Sequence, residues 1–213
     1  MPNGIGIAIC RAIALKSNFE NKFKTMFIRN CFKHFKTICI HKWWVFYYSW
    51  FLGIPWRGLF HDMSKFSPIE FFESAKFYKG DSSPINAAKK VQGISYAWQH
   101  HKGRNPHHYE YWLDNFDKDL GGIVARKMPL KYVLELVCDY LSAGCTYNPK
   151  GFTYKGELEW WNKNKDNRMI HPETKELITA IFELIAESQM TSEIFTLKSK
   201  IKHVLLEQKF KGY

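Results

Sequence analysis

The sequence predicts an all-α protein folded as an irregular helical bundle. Apolar side chains recur in steps of three and four along the 213 residues, and no sustained two-residue alternation predicts a strand. A serine precedes a proline at Ser67–Pro68 and at Ser83–Pro84, which is typical of a helix start. A chain of this length can bury a core without disulfide bonds.

The first long helix is expected over residues 26–52, because one stripe of side chains keeps the helical period throughout. The stripe consists of Phe27, Cys31, His34, Ile38, His41, Val45, Tyr48 and Leu52. Gly53 ends this helix. Pro55 then fits the first turn of a short helix that reaches the His61–Asp62 pair.

Two more helices follow. One is expected to begin at Ser67–Pro68, with Glu70 completing a capping box, and to end near Gly80. The other begins at Ser83 and continues to about His101. Further helices are predicted over 129–143, 172–187 and 191–210.

These elements suggest a division of the chain into four parts. Residues 1–25 carry few constraints and are predicted to be an N-terminal extension, and 26–145 form a helical core. Gly, Pro, Asn and Lys lie between isolated aromatic residues over 146–171, which favours a long loop. Residues 172–213 are expected to be C-terminal helices that pack on the core.

The composition favours anionic partners. Lys and Arg outnumber Asp and Glu by 31 to 20, which gives a net charge of +11. Such a balance suits nucleotides, nucleic acid or an acidic membrane surface, without selecting one of them. The oligomeric state is open.

The cysteines and the apolar runs predict a cytoplasmic protein. Five Cys form no CxxC pair, which favours reduced thiols over a disulfide framework. The apolar run from Trp43 to Phe60 is not expected to span a membrane, because Gly53, Pro55 and Arg57 interrupt it.

Histidine and aspartate residues form an ordered series that favours a metal site. The series is His41, His61, Asp62, His100, His101, His107, His108 and Asp139. Imidazole and carboxylate groups hold divalent ions such as Zn, Mn and Fe. A helical bundle builds such a site from facing helices, and these residues come from several predicted helices.

The same residues resemble a known superfamily. His41, the His61–Asp62 pair and Asp139 are similar to the H…HD…D signature of the HD-domain metal-dependent phosphohydrolases, and residues 61–65 (HDMSK) resemble the motif HD-x-[GS]-K. Phe60–Pro68 and His101–Trp112 are also similar to an uncharacterised bacterial and phage family known only as a domain of unknown function. The resemblance covers Met26 to Gly144.

The resemblance implies an HD-domain-like core that holds one or two divalent ions (Mn, Fe, Zn or Mg). One ion would be bound by His41, His61, Asp62 and Asp139. A second would bridge from Asp62 to His101 and to His107 or His108. The other histidine of the 107–108 pair would bind substrate or stack on Tyr111.

Several of these residues also have a purely structural interpretation. His34 is read as a core or surface histidine, and His101 faces inward better than His100. Asp139 is either a buried ligand or part of an exposed helix edge beside Glu135. Lys65, Arg104 and Asn105 are candidates for clamping phosphate, and the alternative is that they are solvated loop residues.

The leading hypothesis is a metal-dependent phosphohydrolase with Asp62, Lys65 and Arg104 as catalytic residues. Its expected substrate is an anionic small molecule, a nucleotide or another phosphate ester, which Lys65, Arg104, Asn105 and His108 would bind. A second hypothesis keeps the site but makes the protein a di-iron oxygenase of the same superfamily. A third is a non-catalytic basic module that binds nucleic acid through its C-terminal lysines.

Overall fold

A computed structural model describes residues 3–117, 119 and 121–188 of the chain. Within these residues the fold consists of eight α-helices and one two-stranded sheet, which confirms the predicted all-α class. The helices are α1 (Asn3–Phe51), α2 (Pro55–Phe60), α3 (Pro68–Lys76), α4 (Pro84–Gln92), α5 (Tyr96–Lys102), α6 (Leu130–Tyr147), α7 (Tyr154–Asn164) and α8 (Pro172–Ser188). Short 3-10 helices cover Met63–Phe66, Tyr109–Trp112 and Lys165–Asn167.

The core lies between α1, α6 and α8. Its buried side chains include Val45, Tyr48, Val137, Leu141, Ile178 and Phe182. Trp161 of α7 completes it, with its ring stacked on Phe182 at 5.9 Å between centroids. Each large apolar side chain buried in this way stabilises the fold by roughly 1.5–3 kcal/mol. α1 and α6 also carry candidate ligands, so the same packing that forms the core positions them.

The predicted helix starts are largely confirmed. Ser67 caps α3, with its hydroxyl accepting from the Glu70 amide at 3.5 Å. The helix expected from Ser83 to His101 is interrupted, however, because Gly93 adopts a left-handed conformation (φ 78°) that ends α4. Ser95 then caps α5. The last predicted helix, over 191–210, lies outside the described residues.

Three expectations about local structure were wrong. Helix α1 begins at Asn3, so it runs unbroken through the predicted boundary at residue 25. The loop expected over 146–171 contains α7, which begins where the Thr153 hydroxyl accepts from the Gly156 amide. Strands β1 (Leu113–Asp117) and β2 (Gly122–Ala125) pair antiparallel and were not predicted, because each is too short to show a clear alternation.

Among the described residues, no helix combines the length and apolarity that crossing a lipid bilayer requires.

The contact between α1 and α2 sets the position of the His61–Asp62 pair. At Gly58 an added Cβ would lie 2.5 Å from the Ser49 Cβ and 3.0 Å from the Phe46 Cα. The Lys42 ammonium donates to the carbonyl oxygens of Leu59 and His61, which fixes the end of α2 to α1. Only glycine therefore lets the two helices approach this closely.

We predict that Gly58→Ala lowers the free energy of unfolding by about 1–3 kcal/mol, because the methyl group pushes α2 away from the α1 backbone. Chemical denaturation of the purified protein measures the change. Gly103→Ala is the matched control, since its added Cβ would meet its nearest neighbour at 3.5 Å. Equal stability of the two variants would show that the α1–α2 contact is looser than described.

Candidate metal centre

Asp62 occupies an unusual backbone position. Helix α2 ends at Phe60, and Asp62 then adopts a left-handed conformation with φ 54° and ψ 31°. Among the described residues it is the only non-glycine residue with positive φ. This conformation costs about 1 kcal/mol or more for most residues but less for aspartate, and strained positions of this kind cluster at functional sites.

A first group of candidate ligands joins α1, the His61–Asp62 turn and α6. His41, His61, Asp62 and Asp139 each offer an atom, and these atoms lie within 4.8 Å of one another. His41 Nε2 is 3.0 Å from Asp139 Oδ1, and His61 Nε2 is 3.1 Å from Asp62 Oδ2. These are the four residues that the resemblance implied for a metal ion.

A second group uses the other oxygen of Asp62. Asp62, His101, His107 and His108 again offer atoms within 4.8 Å of one another. Asp62 Oδ1 is 3.2 Å from His101 Nε2 and 3.3 Å from His107 Nε2. The Asp62 carboxylate therefore lies between the two groups, with one oxygen toward each. Both His107 and His108 belong to the second group.

The facing atoms of the two groups are buried and make no hydrogen bond of acceptable geometry within the described structure. They are His41 Nε2, His61 Nε2, Asp62 Oδ1, Asp62 Oδ2, His107 Nε2 and His108 Nε2. Several of these atoms make only short ion-pair contacts with one another, and Asp62 Oδ2 also lies 2.6 Å from the Lys65 ammonium. Buried polar atoms that make no hydrogen bond are costly unless an ion binds them. The donor set thus fits one or two divalent ions of the Zn, Mn or Fe type.

Glu135 orients one histidine of each group. Its Oε1 is 3.1 Å from His61 Nδ1 and 3.3 Å from His107 Nδ1. The second oxygen accepts from Arg57 Nε at 2.7 Å. Burial alone would raise the pKa of Glu135, but hydrogen bonds from the two histidines lower that pKa to about 2. A carboxylate that holds Nδ1 leaves Nε2 of each ring for a metal.

Glu70 orients His101 by binding its Nδ1 atom. Its Oε2 accepts from His101 Nδ1 at 2.7 Å, and its Oε1 accepts from His100 Nδ1 at 2.6 Å. The predicted capping box is therefore not formed as expected, because the buried Glu70 side chain binds histidines of α5 instead. His100 is held by this contact and belongs to neither ligand group.

The electrostatics of the site favour a cation. Burial lowers the pKa of His107 and His108, so these rings are neutral, which is the form that binds a metal. Burial alone would raise the pKa of Asp62, but the charges on His101 and His61 hold that pKa well below its usual value. Burial alone would lower the pKa of His61 and His101, but the same carboxylate raises it. An ionised, buried Asp62 thus faces two rings that gain charge from it and two rings, His107 and His108, that stay neutral.

Lys65 brings a permanent positive charge to the same place. Its ammonium is 2.6 Å from Asp62 Oδ2. Burial would lower the pKa of Lys65, but the charges of Asp62 and Asp139 raise it, so the side chain stays protonated. Lys65 also lines the cavity beside the ligand groups, and its role as a phosphate contact stays a prediction.

That cavity has a volume of about 260 Å³. Its polar end contains His41, Lys65, His101, His108 and Asp139, and its remaining wall includes Ile38, Pro84, Ile85, Trp98, Tyr147 and Trp160. His34 lies in the lining as well. This histidine is buried, and its Nδ1 has no hydrogen-bond partner within the described structure, so it is a core histidine with an unused polar atom.

Two predicted phosphate contacts lie elsewhere. Arg104 is exposed, outside the cavity lining, and its guanidinium donates to the carbonyl oxygen of His100 at 3.4 Å. The Asn105 amide donates to Ser64 Oγ and to the His101 carbonyl oxygen, both at 2.8 Å. Asn105 therefore stabilises the turn that carries the second group, and this position gives no support to its predicted role as a phosphate ligand.

Sequence reasoning missed Glu135 and Glu70 as partners of the site. Glu135 was considered only as part of an exposed edge beside Asp139, yet both are largely buried. The spacing of four residues on α6 puts the two carboxylates on one helical face, and this signal was available in the sequence. Glu70 was assigned to helix capping, where residue type and spacing fit equally well.

The described residues define an all-α protein with a buried histidine- and aspartate-rich centre that could hold a metal ion. The chain belongs to the family described as "Family of unknown function (DUF5662)", whose model matches residues 30–184. No curated protein and no solved structure matches the chain. Membership of the HD-domain superfamily stays a prediction.

We predict that the purified protein binds up to two divalent ions per chain and that Asp62→Asn abolishes both, because both groups need its carboxylate. Asp139→Asn should remove only the ion of the first group. Equilibrium dialysis against Mn, Zn or Fe(II), followed by elemental analysis, measures the stoichiometry.

Asp114→Asn serves as the control, since Asp114 pairs with Arg126 on the exposed hairpin. A wild-type protein that takes up no ion would refute the assignment of a metal centre, as would an Asp62→Asn variant that binds as much metal as wild type.

Proposed function

We propose that this protein is a metal-dependent phosphohydrolase that acts on a phosphate ester with an organic group of modest size. The observation that carries the proposal is the position of Asp62 between two buried ligand groups, beside a cavity that also contains the Lys65 ammonium. Metal ligands, a fixed cation and a protected volume in one place suit the hydrolysis of an anionic ester.

The protein side chains would bind each ion through a separate set of ligands that shares only Asp62. His41, His61, Asp62 and Asp139 form one set of ligands, and Asp62 with His101, His107 and His108 forms the other. A bound divalent ion would lower the pKa of a coordinated water and neutralise charge on the phosphoryl oxygens. Glu135 and Glu70 would keep the Nδ1 atoms occupied, so that each ring presents Nε2 inward.

Lys65 is the candidate residue for stabilising charge on the phosphoryl group. It extends from the 3-10 helix just after Asp62, and its raised pKa keeps it cationic at neutral pH. A fixed ammonium in a partly buried site stabilises a developing negative charge more strongly than it would in water. We assign Arg104 no part in this step because of its exposed position.

The cavity wall suits the organic part of the substrate. Ile38, Trp98 and Tyr147 provide apolar contact area, and the volume of about 260 Å³ limits what can enter. His34 lies seven residues before His41 on α1, so about 10 Å separates them along the helix. Its free Nδ1 can bind a polar atom of the substrate at that distance from the phosphate end.

A second candidate function is oxygenation by two irons. The ligand set contains five histidines and two aspartates, and nitrogen-rich sets of this kind suit iron as well as Mn or Zn. The presence of Lys65 favours hydrolysis, because a fixed cation assists an anionic substrate. Oxygen consumption by the iron-loaded protein would favour the oxygenase. The third hypothesis, nucleic-acid binding through C-terminal lysines, concerns residues outside the described ones.

We predict that protein loaded with Mn, Fe(II), Zn or Mg releases phosphate or nucleoside from a panel of nucleotides, cyclic dinucleotides and simple phosphate esters. Lys65→Met should lower kcat about 100-fold or more while metal content is retained, because the phosphoryl charge loses its partner. Arg104→Met is the matched control and should be as active as wild type. Metal-loaded protein without turnover on the whole panel would argue against the hydrolase.

We also predict that His34→Leu raises KM for a good substrate about ten-fold and leaves metal content and kcat nearly unchanged. The substitution keeps the side-chain bulk but removes both ring nitrogens, including the unpaired Nδ1, and a substrate hydrogen bond lost there is worth about 1–2 kcal/mol. Steady-state kinetics with elemental analysis measures both. An unchanged KM would show that the substrate does not reach His34.

A further inference from the structure

Helix α1 has two apolar faces, and the part of the chain that the structure describes packs mainly against one of them. The inward face carries the stripe that includes His41, Val45 and Tyr48, all of which are buried. A second stripe recurs on another side of the helix, again in steps of three and four, as Ile28, Phe32, Phe35, Cys39, Trp43, Phe46 and Trp50. Phe32 is 74% exposed, Trp43 64% and Trp50 63%.

Neighbouring elements extend this exposed stripe. Phe66 packs edge-on against Phe35 at 6.0 Å between ring centroids. We call this surface, made by Ile28, Phe32, Phe35, Trp43, Trp50 and Phe66, the aromatic face. Helix α2, which packs on α1, carries two further exposed aromatic side chains, Trp56 (72%) and Phe60 (66%). Soluble proteins rarely expose so many large apolar side chains together unless something binds there.

Positive charge is concentrated in the same part of the chain. Residues 1–61 contain nine Lys and Arg and a single acidic residue, Glu20, so they carry +8 of the net +11. Arg29, Lys33 and Lys36 follow one side of the exposed stripe along α1. On the other side the Lys42 ammonium is held by carbonyl oxygens at the end of α2. An aromatic stripe with cations along one edge therefore runs from about residue 28 to residue 50, a length of about 33 Å.

We propose that the aromatic face binds the surface of an anionic lipid bilayer, with α1 lying parallel to the membrane. Tryptophan and phenylalanine side chains insert at the level of the headgroups, while lysine and arginine contact lipid phosphates. Each such cation near an anionic leaflet strengthens binding. This proposal is independent of the hydrolase proposal, because His41 and the other inward residues of α1 take no part in it.

The charge and apolarity of the aromatic face favour an anionic bilayer over a second copy of the chain or a nucleic acid. A second copy would bring a second set of cations against the first, and like charges facing each other oppose association. Nucleic acid would satisfy the cations, but its phosphate backbone offers little to cover Ile28, Phe32 and the exposed tryptophans. An anionic bilayer provides both an apolar layer and negative charge at a suitable depth.

The test is co-sedimentation of the full chain with vesicles of phosphatidylcholine alone or mixed with phosphatidylglycerol. We expect binding only to the anionic vesicles, a blue shift of tryptophan emission, and weaker binding at raised salt. Trp43→Ser with Trp50→Ser, and separately Lys33→Glu with Lys36→Glu, should each weaken binding about ten-fold or more. Val91→Ser with Ile123→Ser is the matched control, since both residues are exposed outside the aromatic face.

Circular dichroism and metal content establish that each variant is folded. The proposal is overturned if the wild-type protein does not bind anionic vesicles. It is also overturned if the Trp43→Ser/Trp50→Ser and Lys33→Glu/Lys36→Glu variants bind them as well as the control does. It is equally overturned if the aromatic face proves to mediate dimerisation, seen as a dimer in sedimentation velocity that the Trp43→Ser/Trp50→Ser variant loses. Binding to duplex or single-stranded oligonucleotides in preference to vesicles would also overturn it.

Discussion

The burial of the Asp62 carboxylate is the constraint on which the arrangement of the site depends. An ionised carboxylate away from water must be compensated, and here imidazoles from three parts of the chain and one ammonium surround it. The left-handed turn after α2 lets adjacent residues, His61 and Asp62, both face inward. The close contact at Gly58 keeps that turn against α1. Local strain, a tight helix crossing and a cluster of buried charge thus support one another.

Much of the site could be predicted from the sequence because its members are few in type and ordered along the chain. His41, His61, Asp62, His101 and Asp139 all lie in the two ligand groups. The supporting carboxylates could not be distinguished in the same way. Glu70 satisfies a local capping pattern, and only the packing of α3 against α5 shows that its side chain binds histidines instead. The predicted role of Arg104 gains no support from the structure, because closeness in sequence to His101 does not determine where a long side chain points.

Local sequence patterns also predicted only part of the fold. Long periodic segments such as α6 and α8 were predicted nearly to their ends. Helix α7 was missed because its polar composition is that of a loop, and its stability depends on Trp161 packing against α8. The aromatic face was missed for a different reason. A helix that is apolar on two sides has no single dominant stripe, and the sequence alone favoured the one that contains the histidines.

Glu135 and Asp62 connect the two ligand groups to each other. It contacts His61 of the first group and His107 of the second, and Asp62 gives one oxygen to each. A cation that enters one group would therefore act on side chains that the other group also uses, while two divalent ions so close together repel each other. The shared Asp62 carboxylate would offset part of that repulsion, so the affinity of each position would depend on whether the other is filled.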